Sequence, residues 1–206
     1  MKHELYIFGS IIRGEVSLTS DVDVLVIPTE DLIEYDYPRS WSVYPLETLR
    51  RYYSEGRLFA WHLHMESKCI FSPFEKNRLA QLGEPAQYTT EKQDVDELHL
   101  IMKDSLDELR KGTDSSIFEI GIIHTVLRDI AMSASWQITG SPCFSRESPY
   151  NLPINFPLTK DTYNAAMLAR HCSTRGINVS IDTDAISKQL LSSPLNAWVE
   201  EVRSYL

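Results

Sequence analysis

The chain has 206 residues, enough for one sizeable domain or two small ones sharing an interface. Apolar residues at 43% and charged residues at 24% are ordinary for a soluble globular protein, and no apolar run approaches membrane-spanning length. A net charge of -9 argues against bulk DNA or RNA as a partner, and three cysteines without C-x-x-C spacing (Cys69, Cys143, Cys172) point to a reducing cytoplasm rather than a disulfide framework.

In chain order, "LYIF" (residues 5–8) reads as a first strand, broken by Gly9 and Ser10, and "SIIRGE" has room for a short helical stretch. "VDVLVI" (22–27) reads as a second strand, rich in Val and Ile and closed by Pro28. "SWSVYPLETLRRYY" begins extended and continues as a short helix from Pro45. "LFAWHLHM" (58–65) reads as a third strand, with Trp61, Leu63 and Met65 on one side and His62, His64 and Glu66 on the other. "SPFEKNRLAQLG" predicts a helix, with Ser72 as N-cap, Pro73 first, Glu75 closing a capping box and Gly83 as the stop.

"EPAQYTTEKQ" reads as a linker, placing one domain at 1–88 and a second at 89–206. Beyond it, Leu98, Ile101, Met102, Leu106 and Leu109 form a stripe at helical spacing, stopped by Gly112. Ser116 and Glu119 suggest another capping box, followed by Ile120, Ile123, Leu127, Ala131 and Ala134 up to Gly140. Residues 141–157 hold four prolines and read as a loop; helices resume at 160–175, 183–191 and 194–205. The fold class is α+β, a small α/β unit with a sheet followed by an all-helical bundle.

Two acids inside the second strand need a reason. Asp21 and Asp23, two residues apart on a strand, point to the same face, where unpaired they repel each other and resist burial. A hard divalent cation removes that problem, and Mg²⁺ favours one or two carboxylates plus substrate phosphates. On this reading Val22 and Val24 face the core. Gly9 lets a phosphate approach the backbone with no Cβ in the way, and Ser10 offers a hydroxyl beside it.

Together, "GSIIRGEVSLTSDVDVLV" resembles the signature of the DNA polymerase beta-like nucleotidyltransferases: Gly9-Ser10, ten residues, then Asp21-Val22-Asp23, with Arg13, Gly14 and Ser20 matching its flanking elements. The short α/β unit followed by helices looks like the minimal and antibiotic-type members, so the resemblance implies a mixed-sheet nucleotidyltransferase domain with a helical domain behind it. It implies transfer of a nucleoside monophosphate from an NTP, with ATP the expected donor, to an acceptor hydroxyl, with pyrophosphate leaving. By position, Asp21 and Asp23 would bind two Mg²⁺ (or Mn²⁺) ions, while Gly9 and Ser10 would hold the triphosphate. Arg13 would either touch phosphate or pair with a carboxylate and fix the loop.

The family also uses a third carboxylate on a neighbouring strand. "WSVYPL" carries Ser42 and Tyr44 there, leaving Glu66 as the best candidate and Glu47 as another. His62 and His64 are commoner as surface or half-buried side chains than as zinc ligands. His124 and Arg128 read as packing groups, and Arg146 and Lys160 as residues within reach of a triphosphate. Two functions follow: an enzyme modifying a partner protein or a small hydroxylated molecule such as an aminoglycoside, or a nucleotide-binding partner protein of a toxin-antitoxin or phage-defence module with weak or lost chemistry. Action as a homodimer or with a partner protein is open on either reading.

Overall fold

The computed structural model describes residues 3–16, 22–29, 37–176 and 179–206. The chain forms two compact units, Met1–Thr89 and Thr90–Leu206. Unit 1 contains β1 (His3–Phe8), α1 (Ser10–Arg13), β2 (Asp23–Pro28), β3 (Ser42–Val43), α2 (Leu46–Ser54), α3 (Leu58–Glu66) and β4 (Ser67–Phe71). The strands form one sheet in the order β3-β2-β1-β4. β2 and β4 run antiparallel to β1 and β3 runs parallel to β2, which makes the sheet mixed.

Strand register decides what each face carries. Glu4 lies opposite Ile27, Tyr6 opposite Leu25 and Phe8 opposite Asp23, so these six residues share a face. Leu49 and Tyr53 of α2 and Ala60 and Leu63 of α3 pack there against Tyr6, Phe8, Leu25 and Ile27. Asp23 therefore stands at the end of the helix-covered face. This corrects the expected orientation: Val22 is exposed, whereas Val24 is buried on the opposite face.

Two expected elements differ. "LFAWHLHM" is helical, not a strand, and the strand follows it as "SKCIF". The segment lacks β-branched residues and is built from Leu, Ala, Met and aromatics, so its apparent alternation comes from a stretch apolar on nearly every side. The helix expected over residues 72–83 reduces to a single 3-10 turn at Ala80–Leu82. The Ser72 Oγ accepts from Phe74 N–H at 3.1 Å, which caps only a local turn, while the hydroxyl is drawn to Glu4 Oε1, to which it donates at 2.7 Å.

Glu4 explains that diversion. It is fully buried in β1, and a buried carboxylate must be paired and hydrogen-bonded. Arg78 supplies the charge, its Nε donating to Glu4 Oε2 at 2.8 Å and its backbone N–H to Oε1 at 3.0 Å. The same guanidinium reaches across to β2, donating from Nη2 to the carbonyls of Ile27 at 2.7 Å and Pro28 at 2.9 Å.

Unit 2 contains α4 (Glu91–Lys111), α5 (Ser116–Thr139), α6 (Ser148–Asn151), α7 (Lys160–Arg175), α8 (Thr183–Ser192) and α9 (Leu195–Arg203). On α4 the buried stripe is Val95, Met102, Leu106 and Leu109, while Ile101 is exposed. Gly112 ends the helix in the left-handed conformation, as the sequence suggests. The Ser116–Glu119 capping box does not form: the Ser116 hydroxyl donates to the Thr113 carbonyl at 2.9 Å. The proline-rich stretch holds the short helix α6, with a proline in its first turn. α5 lies at the centre, burying Ile120, Ile123, Leu127, Ile130, Ala131 and Ala134. A Cβ at Gly121 would come 2.7 Å from Arg170 Cα, so this glycine lets α7 pack closely on α5. Among the described residues no helix is long and apolar enough to cross a membrane.

His124 is buried on α5, its ring 4.6 Å from that of Tyr163, and neither of its nitrogens has a hydrogen-bond partner among the described residues. Burial, reinforced by the charges of Arg128, Arg170 and His171, pushes its pKa well below the ordinary 6.5. Below that ordinary value the unfolded chain takes up a proton that the folded chain refuses, so stability is intact above it and falls as pH drops.

Two outcomes are expected. Arg78→Ala leaves Glu4 buried without its cation and should lower the urea unfolding free energy by about 3–5 kcal/mol. From about pH 6 downward, unfolding free energy should decline with a slope up to about 1.4 kcal/mol per pH unit attributable to His124, and His124→Phe should flatten that slope.

Candidate active site

The candidate site is built where β1 ends. Gly9 adopts φ 75°, ψ -141°, a conformation essentially reserved for glycine. A Cβ at this position would lie 2.8 Å from Asp23 Oδ2 and 3.7 Å from His62 Nε2. The missing side chain is what lets the carboxylate lie over the turn, while the imidazole stands at ordinary contact distance beside it. Asp23 arrives there because its register partner is Phe8, the residue just before Gly9. The Gly9 N–H is committed to the protein, donating to the Glu66 carbonyl at 3.1 Å. Ser10 opens α1, the four-residue helix that carries Arg13 at its end.

Arg13 pairs with carboxylates. Its Nη2 donates to Glu15 Oε2 at 3.0 Å, and its Nη1 pairs closely with Glu66 Oε2. Burial opposes the guanidinium's charge, but the hydrogen bond to Glu15 and the charges of Glu66 and Glu15 outweigh it, and its pKa is raised. Glu66 is the last residue of α3, and His62 lies one helical turn earlier. That i,i+4 spacing brings His62 Nε2 to 3.1 Å from Glu66 Oε2. The His62 ring also meets Phe8 edge-on at 5.6 Å. Arg13, His62 and Glu66 are each largely sheltered, at 18%, 17% and 15% side-chain exposure, so their mutual contacts are only partly screened by water.

Gly9, Asp23, His62, Glu66 and Arg13 thus come together. The strand reading put His62, His64 and Glu66 on one face; the helix keeps His62 with Glu66 and turns His64 toward the Trp61 ring at 5.8 Å. The sequence reading set His62 beside Glu66 through strand alternation; the contact arises instead from the four-residue interval on a helix. Glu47 is exposed in the first turn of α2. Tyr44 joins an aromatic cluster, 5.6 Å from Phe59 and 5.9 Å from Tyr52. Arg51 and Arg57 lie over the Tyr52 ring at 5.7 and 5.0 Å. Asp21 and Ser20 lie outside the described residues.

Among the described residues no group of three or more His, Cys, Asp and Glu is arranged to hold a metal. Among the described residues the site offers the Asp23 carboxylate, a hard oxygen donor held against the Gly9 turn where a Cβ would collide with it. That donor fits a cation of the Mg²⁺ kind, which keeps waters and takes substrate phosphates instead of an all-protein cage.

No protein-family model and no curated protein matches this chain. Among solved structures, the crystal structure of spectinomycin adenyltransferase AAD(9) from Enterococcus faecialis with ATP and spectinomycin is similar over 98% of this chain and 92% of that one, at 12% identity and a TM-score of 0.45.

Gly9→Ala would force a strained backbone and displace the Asp23 carboxylate. The expected result in urea unfolding is a loss of about 1–3 kcal/mol, and a variant as stable as the parent would mean that the turn is not under this constraint.

Proposed function

We propose that this chain is a metal-dependent nucleotidyltransferase that moves a nucleoside monophosphate from an NTP, with ATP the expected donor, to an acceptor hydroxyl on a partner protein or a small molecule. The observation that carries this reading is the approach of the Asp23 carboxylate to the glycine turn, inside the Gly9-Ser10 and Asp21-x-Asp23 spacing. A strand-end carboxylate placed over a turn with no side chain brings a metal-binding oxygen to where a phosphate can approach the backbone.

Asp21 and Asp23 would hold Mg²⁺ or Mn²⁺, which when bound neutralises charge on the triphosphate and makes the acceptor hydroxyl easier to deprotonate. Ser10 lends its hydroxyl to the phosphates. Glu66 takes the proton as the acceptor oxygen forms its bond to the α-phosphorus. The bond from that phosphorus to the bridging oxygen breaks, and pyrophosphate leaves with the electron pair.

One observation favours a second reading. Glu66 is engaged by both Arg13 and His62, as suits a stable binding module whose chemistry is weak or lost. On that reading the chain binds nucleotide and acts through a partner, as in a toxin-antitoxin or phage-defence module.

Pyrophosphate release separates the two. With ATP, Mg²⁺ and candidate protein and small-molecule acceptors, Asp21→Ala plus Asp23→Ala should cut the rate by on the order of a hundredfold or more. Nucleotide binding without any metal-dependent turnover in the parent protein would support the binding module.

A further inference from the structure

β4 stands at the edge of the sheet. Among the described residues it pairs with β1 alone, so alternate residues along it turn their N–H and C=O groups away from that partner. Its first residue, Ser67, follows Glu66 directly, and the Glu66 carbonyl accepts from the Gly9 N–H at 3.1 Å. The edge therefore begins beside the candidate site. Next to it lies a cavity of about 290 Å³, walled by α3, β4 and the segment from Asn77 to Gly83. Buried Tyr6, Tyr53, Leu63 and Leu79 line its floor, and exposed His64, Ala80 and Gly83 form its rim. Ser67 and Cys69 line it too, because they pair with Phe8 and Tyr6 and share their face of the sheet. No Asp, Glu, Lys or Arg lines this cavity. Burial, with the nearby Glu4 charge, pushes the Cys69 thiol up, so it stays neutral. The opposite face of β4 carries Lys68, exposed and without an ion pair among the described residues.

We propose that the acceptor is an extended protein segment that adds to the β4 edge as a further strand, with an uncharged side chain in this cavity, an acidic one opposite Lys68 and a Ser, Thr or Tyr hydroxyl at the Ser67 end. This rests on the nucleotidyl-transfer reading and names its acceptor. The outward backbone groups of an edge strand are met by another strand, which supplies affinity, while side chains alternating between the two faces supply selectivity. Residues of the added strand opposite Ser67 and Cys69 point to the cavity face, and the one between them points to the face of Lys68. A charged side chain in the cavity would lose its water and gain no partner there. On the other face the Lys68 ammonium favours a carboxylate. The chain that leaves the added strand past Ser67 passes Glu66. Its hydroxyl oxygen bonds to the α-phosphorus of the NTP, Glu66 takes the proton, and pyrophosphate leaves with the electron pair of the broken bond.

The test uses the full chain and synthetic peptides of about eight residues that hold Tyr, Asp and Leu in succession, in either direction. Calorimetric titration without nucleotide reads binding, and label from ATP with Mn²⁺ reads transfer. One of the two directions should bind and take the nucleotide on its tyrosine. N-methylation of alternate backbone nitrogens should cut that affinity about tenfold or more. Lys68→Glu should weaken binding about fivefold and restore it for the peptide with Lys in place of Asp. Ala80→Trp, which crowds the cavity rim, should weaken the Leu peptide more than its Gly counterpart. Binding in neither direction overturns the proposal, as does binding that neither N-methylation nor Lys68→Glu alters, or hydrogen exchange showing β4 already protected in a dimer of the chain. Transfer to a small hydroxylated molecule while no peptide binds leaves nucleotidyl transfer standing and removes this acceptor. Peptide binding with no pyrophosphate released from any NTP and acceptor removes the transfer reading, and the acceptor role with it.

Discussion

The site depends on the register between β1 and β2. Phe8 opposite Asp23 puts the carboxylate one residue from the Gly9 turn, and a slip by one residue would send Asp23 to the other face of the sheet. That register is held in the middle and at the far end. Tyr6 and Leu25 are buried against α2 and α3 in the middle, and at the far end Arg78 binds Glu4 on β1 together with the Ile27 and Pro28 carbonyls on β2. The buried ion pair therefore clamps the two strands that carry the turn and the aspartate. A buried pair often adds little net stability over an apolar replacement, but it specifies which groups lie opposite each other.

A second constraint is the junction of α3 and β4. The helix ends at Glu66 and the chain enters an extended strand at Ser67, so the last helical residue is carried to the edge of the same turn. Helical spacing then brings His62 beside it. Had residues 58–66 been a strand, His62 and Glu66 would have pointed the same way with no contact between adjacent turns to couple them. Local conformation decides here whether two polar side chains are neighbours, and the candidate chemistry follows from that choice.

Much of this was legible in the sequence where residue type and geometry are tightly coupled. Gly9 stood out because it breaks the first strand and leaves no Cβ on the backbone, and Asp23 because an acid inside a Val- and Ile-rich strand needs a physical reason; the positive φ at Gly9 and the nearness of Asp23 to it are seen only in the structure. α4 and α5 were legible from spacing and from the glycines that stop them. "LFAWHLHM" was not, because a segment apolar on most sides shows no clear period, and its lack of β-branched residues was the stronger cue. The expected helix at 72–83 failed for a non-local reason: Ser72 and Arg78 are drawn to Glu4, nearly the whole length of unit 1 away in sequence, and no local pattern reveals that competition. The contact of Arg13 with Glu66 was beyond reach for the same reason, although pairing with a carboxylate was one of the two roles its position allowed.

The central claim is that the Asp23 carboxylate and the Gly9 turn form a place where a divalent ion meets a nucleotide's phosphates. The most direct measurement is a crystal structure of the full chain with Mn²⁺ and a non-hydrolysable ATP analogue, using the anomalous signal of manganese. The expected result is a manganese peak about 2 Å from an Asp23 oxygen, with the triphosphate lying along Gly9 and Ser10. Nucleotide bound elsewhere, or bound at this turn with no manganese at Asp23, would contradict it.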